Sequence, residues 1–108
     1  MTETGCEFAL QVVERLSVEN FSTLKRLYNY DSVSAPLLFD DVRALFESLD
    51  CIVDEDRENR VWHFAISFSQ KTPRVVSCDL KDYVANKEFI QELCYTLRLF
   101  GIKQECLS

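Results

Sequence analysis

Val61-Trp62-His63-Phe64-Ala65-Ile66-Ser67-Phe68 decides how this chain folds. Its large apolar side chains, Trp62, Phe64, Ile66 and Phe68, fall on alternate positions. A strand places all four on one face and Val61, His63, Ala65 and Ser67 on the other, whereas a helix scatters them around its girth. Cys51-Ile52-Val53 before it and Arg74-Val75-Val76-Ser77-Cys78 after it are short β-prone runs. Polar segments at Asp54–Asn59 and Ser69–Pro73 separate the three, and the expectation is an antiparallel meander.

Outward from the meander the period becomes helical. Thr4 and Glu7 have the Thr-x-x-Glu spacing in which side chains satisfy free backbone donors at a helix start. Phe8, Val12 and Leu16, with Ala9 and Val13 beside them, follow at helical spacing. Ser17 is placed to cap a second helix that buries Phe21, Leu24, Leu27 and Tyr28, and Asn29 to Ser34 reads as a loop. A third helix is expected from Ala35-Pro36, with Leu38, Val42, Leu45 and Leu49 on one face, Phe39 and Phe46 widening it, and Asp40 and Asp41 in its early turns. The last helix runs from about Lys87 to Phe100. Phe89, Leu93, Leu97 and Phe100 line it, Gly101 ends it in the left-handed region, and Ile102 folds back on Leu97. The expected fold class is therefore α+β: three N-terminal helices, a three-stranded antiparallel meander and a C-terminal helix, forming one protein-interaction domain over residues 1–108.

Size and composition suit that reading. A chain of 108 residues, 47% hydrophobic and 28% charged, buries enough surface to fold without a metal or cross-link. The net charge is −6, which argues against tracking a nucleic-acid backbone or an anionic membrane. The excess is local: residues 37–60 hold eight acids against three bases, while residues 61–108 hold five acids against six bases. No apolar run approaches the roughly 20 residues of a membrane span. The start, Met1-Thr2-Glu3-Thr4-Gly5, lacks the basic and apolar runs of a secretory signal and looks like a natural N-terminus. The five cysteines, Cys6, Cys51, Cys78, Cys94 and Cys106, are odd in number and widely spaced. They read as free thiols in cytosol or nucleus.

Motifs that carry chemistry are not found. His63 is the only histidine, and no cysteines pair at zinc-ligand spacing. Asp54-Glu55-Asp56-Arg57-Glu58 lacks the alternating ligands, glycine and terminal glutamate of a calcium loop and reads as a solvated hairpin tip. Asp40 and Asp41 are adjacent and point apart on a helix, so they are no acid–base pair. Gly5 and Gly101, near opposite ends of the chain, form no phosphate loop. No enzyme activity and no cofactor is expected.

Three helices followed by a hairpin resembles the element order of winged-helix domains. The acids Asp40, Asp41, Glu47, Asp54, Glu55, Asp56 and Glu58 stand where DNA-binding members are basic, so the resemblance implies a protein-binding member. A second resemblance covers the first half. Leu16-Ser17-Val18-Glu19-Asn20-Phe21-Ser22-Thr23-Leu24-Lys25 with Leu45-Phe46 is similar to helices 2 and 3 of death-effector domains. Asp79-Leu80 matches part of their Arg-x-Asp-Leu motif, with Ser77 at the arginine position. That resemblance implies the alternative fold, an all-α six-helix death-fold bundle acting as an adaptor.

Binding is expected at two places. One is an outer strand, Cys51–Val53 or Arg74–Cys78, available for strand addition. The other is the C-terminal helix, whose apolar residues cover more than one stripe, so that it packs on two sides. The partner-binding residues expected are Tyr95, Leu99, Ile102 and Phe89. Asp40, Asp41 and Glu47 form an acidic surface suited to a basic partner, and a homo- or hetero-oligomer is expected.

Overall fold

The computed structural model describes residues 6–30, 37–68, 72–79 and 85–107. The elements follow in the order α1 (Glu7–Glu14), α2 (Val18–Tyr28), α3 (Phe39–Ser48), β1 (Ile52–Asp56), β2 (Val61–Ile66), β3 (Arg74–Asp79) and α4 (Lys87–Leu99), with a 3-10 turn at Gln104–Cys106. The fold is α+β in the expected order. Val61–Ile66 is a strand paired on both sides, which removes the all-α death-fold alternative.

The sheet is antiparallel in the order β1-β2-β3. The register sets Val53 opposite Phe64 and Phe64 opposite Val76, so those side chains share the inner face. Phe64 and Ile66 are buried and Phe68, just past the strand, nearly so; Trp62 is partly buried. The helices cover that face. Phe64 meets the rings of Phe39 and Phe46 from α3 and Phe89 from α4, with centroids 5.7, 5.6 and 5.1 Å away and the rings edge to face. This aromatic cluster is the centre of the core.

Two helix starts use the side-chain caps their sequences offer. The Ser17 hydroxyl accepts from Asn20 N at 3.1 Å, and Asn86 Oδ1 accepts from Phe89 N at 2.8 Å. Replacing Asn86 with Ala leaves that donor without its cap. It is expected to cost about 1 kcal/mol, or roughly 4–8 °C in Tm for a domain near this size. Thermal unfolding followed by circular dichroism checks this, and an unchanged Tm refutes it. At the other end of α4, Gly101 sits at φ +96°, where an added Cβ is strained. Ile102 N donates to Leu97 O at 2.9 Å and Gly101 N to Arg98 O at 3.0 Å, the pair of bonds that closes a helix through a left-handed residue.

Several expectations need correction. β1 runs three residues farther than the β-prone run, taking Asp54, Glu55 and Asp56 into the strand and leaving Arg57–Arg60 as the tip. The tip closes because Asn59 N donates to Asp56 Oδ1 and Arg60 adopts φ +56°. α3 begins at Phe39, so Leu38 is its N-cap and lies half exposed, while Leu37 takes the buried position before it. Phe21 and Tyr28 of α2 are only partly buried. The Thr4 cap and the Ala35-Pro36 helix start fall outside the described residues.

The largest correction concerns the cysteines. Cys6 and Cys106 form a disulfide, with 5.4 Å between their Cα atoms, and Cys51, Cys78 and Cys94 are free. A span of 100 residues gave no sequence clue, because spacing motifs report only short-range pairs. The bond ties the start of α1 to the turn after α4.

Candidate interaction surface

The C-terminal half of α2 and the outward row of α4 face each other across a groove of about 740 Å³. Its floor is apolar, from Leu27, Ile90 and Cys94, and its walls carry Tyr28, Tyr30 and Tyr95. Lys87 and Arg98 stand in the lining, one near each end of α4, and among the described residues none that lines the groove is acidic. The segment after α4 closes one side. Tyr28 Oη donates to the carbonyl of Ile102, and Gln104 Nε2 donates to Asn29 Oδ1 at 3.1 Å.

Burial pushes the Tyr28 phenol well above its ordinary value; Cys94 adds to the shift and Arg98 opposes it. Cys94, whose thiol donates to Leu27 O at 3.4 Å, is pushed up to about 11 by burial, against the pull of Arg98. Cys51 is likewise pushed up to about 11 by burial, and Cys78 is raised by burial and by Asp79. All three free thiols are therefore protonated at neutral pH, which leaves them weak nucleophiles.

The expected binding residues divide. Tyr95 and Leu99, one turn apart on α4, are 54% and 48% exposed. Tyr95 lines the groove, with the Arg74 guanidinium 5.3 Å from its ring centroid. Phe89 and Ile102 are 3% and 0% exposed, so neither side chain is available to a partner. Phe89 is drawn into the aromatic cluster, and the left-handed Gly101 turns Ile102 inward. Asp40, Asp41 and Glu47 are exposed along α3, away from the groove lining. Glu47 lies 3.9 Å from Arg43, whose guanidinium covers Trp62.

Tyr28, Lys87, Arg98 and Gln104 were not legible as site residues. The spacing Lys87-Gln91-Arg98 looks like an ordinary solvated helix row. It becomes a groove wall because Leu27, Tyr28 and Asn29 line the same hollow from the opposite side.

The outer face of the sheet carries a row that sequence alone did not reveal. The register aligns Asp54, His63 and Ser77 across the three strands, and His63 Nδ1 lies 2.7 Å from Ser77 Oγ. Those are the residue types of a hydrolase triad, but among the described residues no ion pair joins Asp54 to His63, and Ser77 is exposed on an open face. The row is a cross-strand polar contact. Beside it, the Asn59 side chain and backbone hold the Asp56 carboxyl below its ordinary value. Among the described residues no group of three acids, histidines or cysteines is placed to hold a metal ion, and no helix is long and apolar enough to cross a membrane.

No family model, curated protein or solved structure matches this chain. The winged-helix likeness therefore goes no further than the order of the elements.

Proposed function

We propose that this chain is a non-enzymatic protein-interaction domain, or a small subunit of a complex, whose partner seats in the groove between α2 and α4. The observation that carries this reading is the groove's lining: among the described residues it has an apolar floor, three tyrosines and two cations, without an acid. Tyrosines bury a large area at small entropic loss, and arginine pairs with carboxylates through a rigid fork of donors. The occupant that fits is a protein segment that presents carboxylates beside an apolar side chain. The acidic surface of α3 is the second contact, suited to a basic face. The raised thiols and the open Asp54–His63–Ser77 row support binding over catalysis. The setting proposed is cytosol or nucleus, resting on the three free thiols and set against the one disulfide.

A partner captured from the native cell and then purified provides the test. Titrated by calorimetry, it is expected to bind the wild-type chain at least about tenfold more tightly than a Tyr95→Glu/Leu99→Glu variant, a difference of about 1.4 kcal/mol or more. Both side chains are half exposed, so the variant is expected to keep its fold. Equal affinity for the two chains refutes the groove as the binding site.

A further inference from the structure

Charge in this molecule is divided between elements. Past Asn29 the groove adjoins a second hollow of about 400 Å³ along α2, lined by residues that include Lys25 and Arg26. Among the described residues, four cations and no acid line the two hollows together. The acids collect elsewhere. Asp40 and Asp41 open α3, and Asp54 and Glu58 lie in β1 and at the hairpin tip. Among the described residues none of these four has an ion-pair partner, and none is paired with Lys25 or Arg98. Glu105 stands near Tyr28 but does not line the groove.

The start of α3 also carries an apolar side chain that the fold leaves out. Leu38 is 47% exposed, between Leu37 and Phe39, which are both buried. Two carboxylates follow it within one helical turn. An exposed leucine next to two unpaired aspartates is the chemistry that fits an apolar floor with a cationic rim.

Position makes the fit reciprocal. Ala85 N donates to Leu37 O at 2.9 Å, which holds the start of α3 beside the start of α4, one residue before its Asn86 cap. Plug and groove thus belong to neighbouring parts of one surface. When two complementary patches lie side by side, a two-fold axis lets each copy offer its plug to the other's groove, and the contact closes at two copies.

Taking the groove as a docking site, as proposed above, we propose that its occupant is a second copy of this chain. Leu38 of each copy rests against the partner's Tyr28, Cys94 and Tyr95, the groove's accessible apolar surface above the buried Leu27 and Ile90, and Asp40 and Asp41 face the partner's Arg98. The attraction is between exposed charges, so it weakens as the screening length falls from about 8 Å at physiological ionic strength to about 3 Å at 1 M. The apolar contact remains and keeps some association at high salt.

Sedimentation velocity on the full chain tests this. The wild type is expected to form a dimer at high micromolar concentration that loosens with added salt. Asp40→Arg/Asp41→Arg and Gln91→Glu/Arg98→Glu, all at exposed positions, are each expected to weaken it by roughly tenfold or more through like-charge contact. Circular dichroism confirms that each variant is folded. Mixing the two variants brings reversed plug to reversed groove and native plug to native groove, so the heterodimer is expected to regain wild-type affinity. A wild type that stays monomeric overturns the self-docking while leaving the groove to the partner titration above. A dimer indifferent to both reversals, or a mixture that does not recover, overturns the assigned contact.

Discussion

Opening the Cys6–Cys106 bond is expected to lower the free energy of unfolding by about 4–5 kcal/mol. The cross-link spans 100 residues, nearly the whole chain, and because the entropic effect grows with the logarithm of loop length it removes about 1.5–2 kcal/mol more than a 15-residue loop would. A domain of this size has about 5–15 kcal/mol in total, so the reduced form is left near the lower limit. Native contacts of the tail resist the loss only in part. Ile102, Cys106 and Leu107 are buried, and the Ile102 carbonyl accepts from Tyr28. Urea unfolding of the wild type with and without dithiothreitol, alongside a Cys6→Ser/Cys106→Ser chain, measures the effect. Coincident unfolding curves would sink the expectation. In a reducing compartment the less stable, open form is the one present, and thiol trapping directly from cells decides which form that is.

The second large effect is expected at the centre of the core. Phe64→Ala removes a fully buried ring touched by Phe39, Phe46 and Phe89, and is expected to cost about 3–5 kcal/mol. Part of that is transfer free energy, part is the cavity left among three other rings, and part is the lost edge-to-face contacts. Val75→Thr on the outer face of the neighbouring strand is the control. That side chain is exposed, and threonine keeps the β-branch, so the change is expected to stay within about 0.5 kcal/mol. Chemical denaturation of the pair is decisive: similar losses at the two positions would mean that the sheet faces are reversed.

Much of the fold was readable because it depends on near neighbours in the chain. The alternation from Trp62 to Phe68 selects a strand whatever surrounds it, since only an extended backbone puts those side chains on one side. Ser17 and Gly101 act on backbone groups within one turn, and both do what their residue types suggest. Leu38 failed as a core residue for the opposite reason. Its spacing to Val42 fits a helix face, but the helix begins one residue later, and Leu37 takes the inward position. The apolar girth of the C-terminal helix suggests Phe89 and Ile102 as partner contacts, but both are buried, Phe89 in the aromatic cluster and Ile102 in the turn that closes α4.

By itself, then, the sequence determined the order and kind of elements, the inner face of the sheet and the acidity of residues 37–60, all set by local periodicity and composition. Only the tertiary structure decided that Cys6 meets Cys106, that Leu38 is left exposed beside two aspartates, and that Tyr28, Arg98 and Gln104 share one groove. Each of these joins or separates residues by how helices stack on a sheet. That stacking depends on side-chain shapes far apart in the chain, for which a linear pattern carries no signal.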